Sequence, residues 1–153
     1  MKGLLENASE QKANKTRALD FIKDLESTTK PCICIVEDDS LLGQQLCKIL
    51  EKENFLCRHY SSPVDFLKDI SDLTLLALVL DIRLPGMSGI DVLKNLEPLR
   101  QKKPFAIFIM TGDSQKSTVE AVAKSKVNGF FVKPLSWEIL VKEIKKHTHK
   151  PKD

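Results

Sequence analysis

Four short, uninterrupted apolar runs constrain this chain most: CICIV (32–36), LLALVL (75–80), FAIFIM (105–110) and FFV (130–132). None alternates apolar with polar residues, so each reads as a strand covered on both faces, the situation of a parallel sheet. A fifth stretch, FLCRHY (55–60), mixes the two kinds of residue and suits an edge strand. The longest runs reach six residues, far short of the roughly 20 that a membrane-spanning helix needs.

Stretches with a helical period separate these runs. Leu41, Leu42, Leu46, Ile49 and Leu50 share one face behind Asp39 or Ser40 as N-cap. Ser62 and Pro63 open a short helix through Phe66 and Leu67. Ile90, Val92, Leu93 and Leu96 form a third, which Pro98 is expected to close, and Val119, Ala121, Val122 and Ala123 form a fourth. Ser136 opens the fifth. There Ile139, Leu140, Val141 and Ile144 point inward, while Lys142, Lys145 and Lys146 gather toward the C-terminal end, where cations suit the helix dipole. Five strands alternating with five helices predict an α/β doubly wound sheet.

The length of 153 residues suits one domain, yet residues 1–30 lie outside the alternation. Ala18, Phe21, Ile22 and Leu25 recur at helical spacing, so an amphipathic helix is expected over RALDFIKDLES, beginning between Asn14 and Arg17. The expected organisation is a partly helical extension (1–30), a domain (31–147) and a basic tail (148–153). The formal charge of +3 divides unevenly: residues 1–30 carry +1, residues 141–153 carry +3, and the remainder −1. So small a charge predicts neither a membrane nor a direct nucleic-acid partner. Two leucines followed by Glu6 make no signal-peptide core. Cys32, Cys34, Cys47 and Cys57 form no C-x-x-C pair and read as buried free thiols of a cytoplasmic protein. His147 and His149 are only a weak metal signal.

In an open α/β sheet, ligands bind beyond the carboxyl ends of the strands. Glu37, Asp38 and Asp39 follow the first run, Asp81 the second, Thr111 the third and Lys133 the fourth. Close carboxylates repel unless a cation joins them. Hard oxygen ligands suit Mg²⁺, or Mn²⁺ in its place, and a carboxylate can itself be a nucleophile that forms an aspartyl-phosphate. A lysine and a hydroxyl beside it can bind phosphoryl oxygens. No general base for a separate substrate is evident, which points to a protein that phosphorylates itself rather than an enzyme that turns over metabolites.

The segments VEDD, LVLDIRLPGMSGIDVL, IMTG and FFVKP resemble the receiver domain of two-component response regulators, over about Pro31 to His147. Asp38 to Asp81 spans 43 positions, Asp81 to Thr111 spans 30 and Asp81 to Lys133 spans 52, in keeping with that family. The resemblance implies a flavodoxin-like sheet of strand order 2-1-3-4-5 and a phosphorylation-dependent signalling switch. Asp81 accepts a phosphoryl group from a histidine kinase or a histidine phosphotransfer protein. Asp38, Asp81 and the backbone carbonyl of Arg83 ligate the metal, with Glu37 acting largely through water and Asp39 left as helix cap. Thr111 and Lys133 bind the phosphoryl group, and Phe130 occupies the aromatic switch position linked to Thr111. Pro85, Gly86 and Gly89 shape the loop over the site, and Pro134 follows a peptide bond that is often cis in the family. The signal would leave through the fourth helix, fifth strand and fifth helix of the alternation, to a downstream protein or a second copy.

Two features depart from the family pattern. Arg83 lies two residues past the nucleophile and Asp113 two past Thr111; if both reach the mouth of the site they pair and tune the phosphoryl lifetime. Lys126 and Val127 stand where the family commonly has Gly-Ala, so the left-handed cap that glycine would relax is occupied by lysine. Two other readings are a docking pseudo-receiver that is never phosphorylated and a phosphatase with an aspartyl nucleophile. Such phosphatases usually carry a second acid where this chain has Arg83.

Overall fold

The apolar runs become the strands of one parallel sheet: β1 (Pro31–Val36), β2 (Leu56–Tyr60), β3 (Thr74–Leu80), β4 (Ala106–Thr111) and β5 (Gly129–Val132). Their order is β2-β1-β3-β4-β5, all pairings parallel, which is the flavodoxin-like arrangement that the family resemblance implies. This computed structural model describes residues 2–148, with the side chains of residues 2–6 and 23–29 outside the description. The helices are α1 (Lys2–Thr29), α2 (Ser40–Lys52), α3 (Pro63–Asp69), α4 (Gly89–Lys102), α5 (Lys116–Ala123) and α6 (Trp137–Thr148), with a short 3₁₀ turn at Ile70–Asp72. The chain divides into two units, residues 1–30 and 31–153.

Because successive strand residues point to opposite faces, the continuous runs fill two cores. On one face Cys34, Val36, Leu78, Leu80, Ile107 and Ile109 pack with Phe66, Val92, Leu93, Leu96 and Val122, from α3, α4 and α5. On the other, Ile33, Ile35, Val79, Phe108 and Met110 pack with Leu46, Leu50, Leu140, Val141 and Ile144, from α2 and α6. Each fully buried Leu or Ile contributes about 1.5–3 kcal/mol.

Four local expectations change. Pro98 does not close its helix: α4 runs on to Lys102. Proline inside a helix loses one hydrogen bond and crowds the preceding turn, but here the last turn is anchored. The Lys103 N–H donates to the Leu99 carbonyl at 2.8 Å, and Arg100 forks onto the carbonyls of Ser125 and Lys126. Leu41 faces solvent, because α2, capped at the Leu42 N–H by Asp39, packs Leu46, Cys47 and Leu50 into the core and turns the opposite side outward. Ile139 is likewise exposed, since α6 buries Leu140, Val141 and Ile144, and Val119 of α5 also faces outward. The extension is helical from Lys2 to Thr29, well before the Asn14–Arg17 start read from periodicity, and Leu19, Phe21 and Ile22 on it are exposed. The Leu25 side chain and the tail beyond Thr148, His149 included, lie outside the described residues; His147 meets the Glu143 carbonyl one turn back.

Candidate functional site

Hydrogen bonds of the parallel ladder continue one residue past the strands and set the site residues in a row. Asp81 N–H donates to the Val36 carbonyl at 3.1 Å, Glu37 N–H to the Tyr60 carbonyl at 3.0 Å and Lys133 N–H to the Thr111 carbonyl at 2.8 Å. Thus Glu37, Asp81, Thr111 and Lys133, which follow or end four different strands, meet at one sheet edge. Glu37, Asp81 and Thr111 are buried, while Asp38 is exposed.

Lys133 joins the acids. Its Nζ donates to both Glu37 carboxylate oxygens, at 2.9 and 2.8 Å, and to Asp81 Oδ2 at 2.9 Å. The other Asp81 oxygen, Oδ1, accepts the Arg83 N–H at 3.0 Å. Burial is the main cause that pushes the Glu37 carboxyl up to about 7; Lys133 opposes the rise and Asp81 adds to it. Burial also disfavours the Lys133 ammonium, but the Glu37 and Asp81 carboxylates outweigh it and hold its pKa above the ordinary lysine value. Glu37, Asp38 and Asp81 each offer a carboxylate oxygen within 4.8 Å of the others. Three hard oxygen donors around one point, two of them buried, fit a Mg²⁺-type cation. Asp39 is not in that group; its Oδ1 accepts the Leu42 N–H at 3.1 Å as the cap of α2.

The loop after β3 folds over this edge by alternation, with Ile82 and Leu84 buried and Arg83 exposed between them. Gly86 takes a φ of +83°, a turn conformation that glycine adopts without strain. Gly89 is required by space: a Cβ there would lie 2.5 Å from the Asp81 carbonyl oxygen, toward which α4 begins. Pro85 is exposed on the loop, and the Lys133–Pro134 peptide bond is cis.

At the rim, the Arg83 side chain reaches Asp113, Nε to Oδ2, at 3.4 Å. Asp113 is also tied locally, accepting the Gln115 N–H at 3.0 Å and the Thr118 hydroxyl at 2.9 Å, and its own N–H donates to Thr111 Oγ1 at 3.2 Å. The Gln115 N–H, then Thr118, hold the Asp113 carboxyl below the usual carboxylate range. Phe130 is half-buried against the α3–α4–α5 side core, where it floors a groove of about 300 Å³ with Val119, Val122 and Val127. Phe131, its neighbour, is half-buried against the opposite core. Lys126 has a left-handed backbone (φ +53°) with no glycine to relax it, and Arg100 holds that carbonyl at 2.8 Å.

Sequence reasoning overlooked three residues. His59 Nε2 lies 2.8 Å from the Glu37 carbonyl oxygen, and its ring occupies the space that a Cβ on Gly43 would need. Thr118 and Arg100 are the others. A polar residue at the inner end of an edge strand was the available signal for His59; nothing in the spacing marks Thr118 or Arg100.

The profile of the response regulator receiver domain matches residues 33–145. Response regulator protein TmoT of Ectopseudomonas mendocina is 33% identical over 113 residues, covering 74% of this chain and 50% of that protein. Transcriptional regulatory protein FixJ of Bradyrhizobium diazoefficiens is 31% identical over 107 residues, covering 70% and 51%. The chain thus spans about half the length of these curated relatives. Among solved structures, a CheY-like receiver domain protein from Methanospirillum hungatei aligns with a TM-score of 0.71 at 23% identity, covering 76% of this chain and 91% of that one. FixJ-N aligns with a TM-score of 0.68 at 24% identity, covering 81% and 98%. At such identities the structural likeness speaks for the fold. With the profile covering most of the chain and the acids, hydroxyl and lysine in one row, this chain belongs to the response regulator receiver domain family.

Proposed function

We propose that this domain is a phosphorylation-dependent switch in which Asp81 takes a phosphoryl group from a histidine kinase or a histidine phosphotransfer protein. The observation that carries the reading is the buried Asp81 carboxylate, with one oxygen on Lys133 and the other on the Arg83 N–H, inside a three-acid cluster. An Asp81 oxygen attacks phosphorus, the P–N bond of the donor phosphohistidine breaks, and the imidazole keeps the electron pair and takes up a proton. Glu37, Asp38, Asp81 and the Arg83 carbonyl would hold Mg²⁺ or Mn²⁺, which when bound supplies positive charge for the phosphoryl oxygens. Lys133, already on Asp81 Oδ2, and Thr111, at the end of the neighbouring strand β4, would bind the phosphoryl oxygens by charge and hydroxyl donation. Once Lys133 turns to the phosphoryl group, its hold on Glu37 weakens, and Thr111 moves inward with Phe130 following.

That motion shifts the population of the α5–β5–α6 surface, which passes the signal to a downstream protein or a second copy. The domain turns over no separate substrate; it promotes only its own phosphorylation and dephosphorylation. A cytoplasmic setting suits its four free thiols. The Arg83–Asp113 pair covers the mouth and sets how long the phosphoryl group survives water. The test is transfer of labelled phosphoryl from a small acyl phosphate with Mg²⁺. One label per chain is expected, and none in Asp81→Asn; undiminished labelling of that variant overturns the reading.

A further inference from the structure

Cys47 and Cys57 are free thiols whose sulfurs lie 2.7 Å apart, outside the acidic site. The fold explains the meeting. Cys57 pairs in register with Ile33, whose side chain belongs to the core beneath α2 and α6, and Cys47 lies on the inward stripe of α2. A disulfide holds its sulfurs about 2.05 Å apart, so closing the gap takes less than an ångström of side-chain adjustment. Cys57 is half-buried on the edge strand β2 and Cys47 keeps 8% of its surface exposed, so the pair lies at the border of the core rather than inside it. The other two cysteines provide an internal contrast. Cys32 and Cys34 sit two apart on β1, fully buried in the opposite core, with sulfurs 3.9 Å apart.

We propose that Cys47 and Cys57 are a modification site: a hydroperoxide joins them in an intrachain disulfide that clamps α2 to β2. The Cys47 thiolate attacks a peroxide oxygen, the O–O bond breaks, and hydroxide leaves and takes up the Cys47 proton. The Cys57 sulfur then attacks the resulting sulfenic sulfur, the S–O bond breaks, and the hydroxide departs with the Cys57 proton as water. Two thiols are oxidised, and hydrogen peroxide is reduced to two waters. The adjacent Cys47 sulfur, together with burial, holds the Cys57 thiol protonated in the reduced pair, which leaves the first attack to Cys47. The clamp joins two elements that frame Glu37: α2 starts three residues after it, and β2 carries His59 against its carbonyl.

The test treats the full chain with hydrogen peroxide, then unfolds and alkylates it. Two of the four thiols should be lost in a monomer, with dithiothreitol restoring them. Tryptic mapping of the unmutated protein should find the peptide 53–58 joined to the one that ends at Lys48. Cys47→Ser and Cys57→Ser should each abolish the bond and Cys34→Ser should keep it, and the oxidised chain should melt several degrees higher than the reduced one. Four thiols still open to alkylation, a bond to Cys32 or Cys34, or a link between chains overturns the site; an unchanged melting midpoint overturns the clamp.

Discussion

Two ion pairs stand at the same sheet edge, and their difference in burial separates the one that holds this site together from the one that adds little to its stability. Lys133 bridges Glu37 and Asp81 beneath the strand ends, where the two acid side chains are 2% and 6% exposed. Arg83 meets Asp113 at the rim, where the arginine side chain is 64% exposed. A buried charge that loses its partner is left without water, so breaking such a pair typically costs about 3–5 kcal/mol. An exposed pair is screened and contributes little. The inner cation is therefore a condition for burying two carboxylates together, whereas the outer one can change at little cost in stability.

The largest expected effect breaks the inner bridge. Lys133→Met should cost about 3 kcal/mol in urea unfolding without metal, because two acids then share a buried site uncompensated. Adding Asp81→Asn should return part of that loss; a Lys133→Met protein as stable as the parent would end the comparison. Next comes the metal. Mg²⁺ at about 100 times its Kd should stabilise the chain by about 2.7 kcal/mol, with a chelator reversing the gain and Asp38→Ala or Asp81→Asn removing most of it.

Arg100 sharpens the contrast as a cation whose side chain is only 15% exposed and whose hydrogen-bond partners are backbone carbonyls. Arg100→Met should cost about 2 kcal/mol, the scale of hydrogen bonds to a charged group. Lys126→Gly in that background should recover part of the loss by relaxing the left-handed backbone. The smallest stability effect belongs to the rim. Arg83→Ala should leave the unfolding midpoint in place, yet change the decay of labelled phosphoprotein by at least about twofold. Equal decay would leave the rim pair with no part in phosphoryl lifetime.

Much of the fold was legible because burial on both faces leaves a distinct trace: a strand in the middle of a parallel sheet has no polar side. Helix phase was less legible. Leu41 and Ile139 fit an apolar stripe in sequence, but packing against the sheet selects the neighbouring positions, Gly43, Leu46, Cys47 and Leu50 in α2 and Leu140, Val141 and Ile144 in α6. Pro98 reads locally as a stop, and it is overruled by an arginine whose partners lie more than 20 residues further along the chain.

By itself the sequence determined which residues can meet. In a parallel sheet, whatever follows each apolar run stands at the same edge, so Glu37, Asp81, Thr111 and Lys133 are brought together by strand direction alone. Only the tertiary structure decided how they meet: that one lysine spans two acids, one of them 96 positions away, that burial lifts Glu37, and that Cys47 faces Cys57. Those outcomes depend on side-chain direction and on exclusion of water. Both are set by the packing of distant segments, and no local spacing encodes them.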